Sequence, residues 1–162
     1  MTLIKLKILL KKIMILKYKI LNRLISIVYF IILVYILFFL KRRSNNQEYR
    51  NKINIYPFYS KFKYIKTINW NNINNQKDFL IDVLGNILMF IPFPIALFWL
   101  ISIKISYKKY FIIIILTSVL IEILQYIFNK GVLDIDDIIL NSIGGCLGLI
   151  ILYYSFLKQK SN

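Results

Sequence analysis

Four long apolar runs divide the chain, with basic or polar stretches between them. The first, residues 24–40, is 17 residues without a charge, which as an α-helix is about 25 Å long and just enough to cross a hydrocarbon core. The second covers about 79–103, the third 110–128 and the fourth about 138–157. Inside lipid every backbone polar group must find its partner within the segment, so apolar runs of this length predict helices. The connections 104–109 and 129–137 are short, which makes consecutive helices antiparallel neighbours. The predicted fold is all-α: a polytopic membrane helix bundle of four transmembrane helices, preceded by a basic N-terminal helix.

Polar positions inside the runs are few and periodic. Asp78, Asp82 and Asn86 recur every four residues. Ser118, Glu122, Gln125 and Asn129 step by four, three and four, and Asp134, Asp137, Asn141, Gly145 and Gly148 follow the same helical spacing. Each of the last three helices thus has one polar stripe and is otherwise apolar. A charge at the bilayer centre costs about 2.5–3.5 kcal/mol on insertion scales, so such stripes face the bundle interior or a watery cavity. Antiparallel alternation places the start of the second span, the end of the third and the start of the fourth at one face of the membrane. Asp82, Asn86, Glu122, Gln125, Asp134, Asp136, Asp137 and Asn141 are therefore the candidate pocket. The amides have a plainer reading as interhelical glue, each pair worth about 0.5–2 kcal/mol. Glu122 lies well inside its span and must be paired, protonated or solvated.

Small residues and prolines add detail. Gly144 and Gly148 form a Gly-x-x-x-Gly pair which, with Gly145, lets a neighbouring helix come close. Pro92 and Pro94 interrupt the backbone ladder of the second span and predict a kink or an opened backbone. A carbonyl freed there could line the pocket, or the kink could serve packing alone.

Outside the spans the chain is basic. Residues 1–23 hold seven basic residues and no acid and read as an interfacial segment ahead of a four-span domain at 24–157. Lys41, Arg42 and Arg43 follow the first run with no small-residue cleavage site, so a retained anchor is expected. In residues 41–79 the aromatics Tyr56, Phe58, Tyr59, Phe62, Tyr64 and Trp70 mingle with lysines. That mixture suits the headgroup level, and it predicts a basic lid lying on the membrane over the pocket.

Composition agrees with a membrane protein. Of 162 residues 59% are hydrophobic and the mean hydropathy is +0.64, too apolar for a soluble domain of this size. The net charge of +15 comes from lysines that flank apolar segments, where they meet anionic lipid rather than nucleic acid. One cysteine, Cys146, and no histidine exclude an internal disulfide and the usual zinc sites. With the N-terminus in the cytoplasm, twelve basic residues lie inside and ten outside, which favours that orientation and puts the pocket on the extracytoplasmic face.

At these residues the chain resembles the VanZ-like family of small bacterial membrane proteins. "NIYPF" (54–58) is similar to the family's Asn-Leu-x-Pro-Phe element and "LGNILMFIPF" (84–93) to its Gly-Asn-x-x-x-Phe-x-Pro element. "SVLIEILQ" (118–125) is similar to its Glu-x-x-Gln helix, and "DIDDIILNSIGGCLG" (134–148) to its acidic helix start ending in Asn-x-x-Gly-x-x-x-Gly. The likeness covers about residues 50–155. The chain departs from the pattern at Pro94, where the family usually has Gly, and at Lys130, where it has Arg ahead of the acidic run. The resemblance implies residence in the bacterial cytoplasmic membrane and an association with lowered susceptibility to teicoplanin and related lipoglycopeptides.

Three functions remain open at this point. A non-enzymatic envelope protein would bind or shield a lipid-linked ligand, such as a cell-wall precursor, a lipid headgroup or the lipoglycopeptide, with Lys61, Lys63, Lys66 and Lys130 meeting its anionic part; it needs no cofactor. A membrane-embedded enzyme would act on a lipid-linked phosphate or peptide, with Asp134, Asp136, Asp137 and Glu122 holding Mg²⁺ and Glu122 as general acid or base. A small transporter or assembly factor would work as a homo-oligomer in contact through Gly144 and Gly148.

Overall fold

The computed structural model describes residues 2–40, 53–67, 72–101 and 106–157. Residues 41–52, 68–71 (with Trp70), 102–105 and 158–162 lie outside this set, so the expectations for the whole of the 41–79 connection apply here to 53–67 and 72–79 only.

The first helix, α1 (Thr2–Tyr35), runs unbroken through the basic segment into the first apolar run and ends in a π-helical turn, Ile36–Leu40. No glycine or proline occurs between residues 2 and 40, so nothing in the sequence stops the helix at residue 23 or 24. At 34 residues it is about 51 Å long, more than the ~30 Å hydrocarbon core. Residues 5–21 are exposed throughout, and Asn22 is the first buried position. The basic part of α1 thus stands clear of the bundle while its second half packs into it.

After a two-residue strand β1 (Ile53–Asn54) and a short helix α2 (Tyr59–Thr67), the second span is built from two helices, α3 (Ile73–Phe90) and α4 (Phe93–Ile101). The side chain of Asn72 caps α3 by accepting the Asn74 N–H at 3.0 Å, which starts the helix ahead of the apolar run. The break at Ile91–Pro92 is where the prolines remove two ladder donors. Tyr29 on α1 uses it: its hydroxyl donates to the Met89 carbonyl at 2.7 Å, so a carbonyl of the last α3 turn is taken up by a neighbouring helix.

The third span is α5 (Tyr107–Ile127). Strand β2 (Leu133–Asp134) then pairs in parallel with β1, Ile53 beside Leu133 and Asn54 beside Asp134. It leads directly into α6 (Ile135–Leu152) and a second π turn, Tyr153–Leu157. Four helical stretches, Lys5–Phe39, Ile73–Ile101, Tyr107–Ile127 and Ile135–Ser155, are long and apolar enough to cross a membrane.

Helix α6 is the centre of the bundle, packed along α3, α5 and α4, while α1 joins mainly through α4. Its glycines explain why. A Cβ on Gly144 would run into the Ile87 carbonyl, and one on Gly148 into the Ile91 carbonyl and, at 2.8 Å, Pro94 Cγ. Backbone therefore meets backbone along the α3–α6 seam. The apolar core gathers Leu33 and Leu37 of the first span, Phe90 and Phe93 of the second and Ile114 and Ile121 of α5, which are buried together.

Candidate functional site

The N-terminus of α6 organises the polar end of the bundle. Asp134 caps it in extended conformation, its Oδ1 accepting the Asp136 N–H at 3.0 Å. Asp136 and Asp137 occupy the first turn, where the positive end of the helix dipole favours carboxylates. From α5, Glu122 Oε2 accepts the Asp134 N–H at 3.2 Å. This ties the loop between α5 and α6 back onto the preceding helix.

The segment 53–67 closes over this rim and docks on the carboxylates one by one. Asn54 Nδ2 donates to Asp134 Oδ1 at 2.8 Å, in the register set by the parallel bridge. The Phe58 N–H donates to Asp136 Oδ1 at 2.5 Å, aimed there by a left-handed backbone turn with φ of 60°. Lys61 on α2 pairs with Asp82 Oδ2 and lies 3.7 Å from Asp137 Oδ1. Its side chain is 12% exposed, Asp82 is 30% exposed and Asp137 is fully buried. Tyr56, Tyr59 and Phe62 are exposed on the outer side of the segment and, with Pro57, line an open groove of about 620 Å³. The lid is thus polar toward the protein and aromatic away from it, the inverse of a helix on a soluble core.

One turn deeper lies a second, uncharged layer. Asn86, Ser118 and Asn141 each follow or precede a carboxylate of the rim (Asp82, Glu122 and Asp137) by four residues, and all three are buried. Ser118 donates to the Ile138 carbonyl at 3.2 Å. The amide Nδ2 and Oδ1 of Asn141 are both buried and make no hydrogen bond among the described residues. Fully buried Phe90 and Ile114 sit another turn further in.

The candidate residues therefore fall into distinct places. Asp82, Asp134, Asp136, Asp137 and Glu122 form the rim, and Asn86 and Asn141 belong to the deeper layer. Gln125 turns instead to α1, its Nε2 donating to the Leu37 carbonyl at 2.8 Å. Asp78 and Asn129 are exposed. Among the lysines, Lys61 reaches the rim, Lys63 and Lys66 are exposed on α2, and Lys130 lies with its ammonium 5.8 Å from the Phe39 ring centre. Among the described residues no three acidic or cysteine side chains gather as metal ligands would. Sequence reasoning missed Asn54 and the Phe58 N–H as rim partners. Their signal was the "NIYPF" block, whose proline and asparagine mark a fixed turn rather than a passive linker.

The model of the VanZ/LLP1 family matches residues 26–158, which include the whole rim, the lid and the end of α1 that packs into the bundle, but not its basic part. Among curated proteins, Protein VanZ of Enterococcus faecium is 34% identical over 73 residues, a match spanning 42% of this chain and 42% of that protein. The chain thus covers less than half the length of that relative. No solved structure matches it.

Proposed function

The chain belongs to the VanZ/LLP1 family, and from that premise we propose that this integral membrane protein works in the bacterial cytoplasmic membrane as a binding protein of the cell envelope. It lowers susceptibility to teicoplanin-type lipoglycopeptides by binding or shielding a lipid-linked ligand at the lidded carboxylate and amide cluster. The observation that supports this most is the manner of the lid's docking. Asn54, the Phe58 N–H and Lys61 meet Asp134, Asp136, Asp82 and Asp137 through polar contacts, while Tyr56, Tyr59 and Phe62 face outward. Hydrogen bonds to charged groups are worth about 1.5–3 kcal/mol net, so a ligand with matching polar groups can offset their loss and exchange with the lid without opening the apolar core. The aromatic outer face suits the headgroup region, where a lipid-linked ligand presents its polar part. Asp134 and Asp136 accept hydrogen bonds from the lid and Asp82 pairs with Lys61, an arrangement that favours recognition over acid–base chemistry.

Expression in a susceptible bacterium tests the proposal. The chain should raise the inhibitory concentration of teicoplanin and lower the binding of a fluorescent lipoglycopeptide to intact cells. Asn54→Ala and Asp136→Asn should reduce both effects at unchanged membrane abundance, and Asp137→Glu should retain part of them. Unchanged drug binding and susceptibility on expression of the intact chain would overturn the drug-facing reading.

A further inference from the structure

We propose that the seat between Asp82 and Asp137 is a binding site for the primary ammonium group of a ligand, and that Lys61 occupies it in the ligand's place. The inference rests on the reading that the cluster under the lid is the ligand site, and it names the chemistry of the group recognised there.

The first observation is the present occupant. The Lys61 ammonium contacts Asp82 Oδ2 and approaches Asp137 Oδ1 to 3.7 Å, with its side chain 12% exposed. The seat therefore has the size, charge and acceptors for an –NH₃⁺ group delivered from the membrane face. Lys63 and Lys66, on the same short helix, are exposed. When Lys61 leaves, it joins them in the headgroup region, and one ammonium replaces another without a change in the net charge of the site.

The second observation is independent of Lys61. Asn141 lies one helical turn beyond Asp137 on the same face of α6, fully buried. The packing of Gly145 on Ile114 and the Ser118 bond to the Ile138 carbonyl bracket it on the α5 side. Both its donor and its acceptor lack a hydrogen bond among the described residues. A buried amide in this state is costly; a lysine ammonium has only donors and leaves the amide Nδ2 without an acceptor. A ligand that carries a hydroxyl or carbonyl close to its ammonium supplies that acceptor, and a hydroxyl can also donate to Oδ1. The recognised group is thus a 2-hydroxyethylammonium or an aminoacyl ammonium rather than a simple alkylamine.

This chemistry has two sources at a membrane, an ethanolamine lipid headgroup and the amine terminus of a lipid-linked peptide. The test uses the full chain purified into nanodiscs, with Lys61→Ala to empty the seat and Lys61→Met as a second variant that keeps the apolar stem. Emptying the seat lowers the thermal unfolding midpoint, and ethanolammonium chloride should restore it by mass action. Tetramethylammonium chloride at the same ionic strength, which has no N–H, should not. Ethanolammonium should act at about tenfold lower concentration than ethylammonium, the worth of one hydrogen bond made in a buried site, and Asn141→Leu should abolish that advantage. Glycinamide added to phosphatidylglycerol nanodiscs reads out the peptide source, and phosphatidylethanolamine nanodiscs without additive read out the lipid source. Equal stabilisation by sodium, tetramethylammonium and ethanolammonium would show charge screening alone and overturn the proposal. Intact ammonium rescue in a chain that leaves teicoplanin susceptibility unchanged would sink the drug-facing function and leave the seat standing.

Discussion

Glu122 and Asp134 are tied across the loop that joins α5 to α6: the Asp134 N–H donates to Glu122 Oε2 at 3.2 Å. Asp134 is also the cap of α6 and the partner of Asn54, so one carboxylate deep in α5 sets the position of the helix start and of the strand that brings in the lid.

Replacing Glu122 should therefore act on stability and on the lid together. Glu122→Ala leaves the buried Asp134 N–H without its acceptor and should destabilise the chain by about 1–3 kcal/mol. Glu122→Gln keeps an acceptor oxygen at the same reach and should cost less than about 1 kcal/mol. Unfolding in detergent measures both, and equal losses would mean that the charge of Glu122, not its hydrogen bond, is what α6 needs.

The glycines predict a graded series. A Cβ at Gly144 or Gly148 collides with the carbonyls of Ile87 and Ile91, whereas one at Gly145 meets the side chain of Ile114 and one at Gly85 meets nothing within 4 Å. Gly144→Ala and Gly148→Ala should each cost about 1–3 kcal/mol or more as backbone is pushed from backbone. Gly145→Ala should cost somewhat less, because it meets a side chain rather than backbone, although Ile114 is buried and stiff at its branched Cβ. Gly85→Ala should be neutral or stabilising by up to about 1 kcal/mol through helix propensity. A flat series would show that α3 and α6 are not held at the distance seen here.

Much of this arrangement is legible in the sequence because lipid is an unforgiving solvent. Charges cannot face it, so the four-residue spacing of Asp82 with Asn86, Glu122 with Ser118 and Asp137 with Asn141 already reports the inner face of each helix. Antiparallel alternation then stacks these pairs at one end of the bundle. The glycine pair was readable for the same reason: close approach needs a missing side chain. What the pattern does not reveal is how the polar groups divide their partners. Gln125 shares its stripe with Glu122 yet bonds to the Leu37 carbonyl of α1, a choice made by the rotation of one helix against another. The lid was legible as basic and aromatic, but periodicity has no period in a five-residue turn, and the left-handed Phe58 that aims its N–H at Asp136 leaves no glycine to mark it. The continuity of α1 across residue 23 follows from local rules that composition obscures, since lysines suggest a boundary while the backbone has no reason to stop.

The docking of the lid is open to a double-mutant cycle. Asn54 Nδ2 and Asp134 Oδ1 are 2.8 Å apart, and residues in such contact couple by about 0.5–3 kcal/mol. Asn54→Ala, Asp134→Ala and the double variant should give a coupling in this range. The Asp134 variant should show the larger single loss, because it also removes the cap of α6. Additive losses would mean that lid and helix are independent.

Tyr29 offers a probe of the broken span. Its hydroxyl donates to the Met89 carbonyl at 2.7 Å, beside the break that Pro92 introduces. Tyr29→Phe keeps the ring contact with Phe30 and should cost about 0.6–1.7 kcal/mol, the range for one interhelical hydrogen bond in a membrane bundle.

The proposed function requires the rim and lid to face away from the cytoplasm, and two exposed lysines at opposite ends of α5 test this. Lys130 lies just beyond α5, at the rim end, and Lys108 lies in its first turn at the other end. In a Cys146→Ser background, Lys130→Cys should react with a membrane-impermeant thiol reagent on intact cells, and Lys108→Cys only after the cells are opened. The charge balance favours this outcome by a narrow margin, twelve basic residues against ten, so the acidic loop and the basic start of α1 have to decide it. The opposite labelling would place Asp82, Asp137 and the lid in the cytoplasm. A lipoglycopeptide outside the cell could not then meet them, and the envelope-facing proposal would be abandoned, while the ammonium seat would be tested against cytoplasmic-leaflet lipids instead.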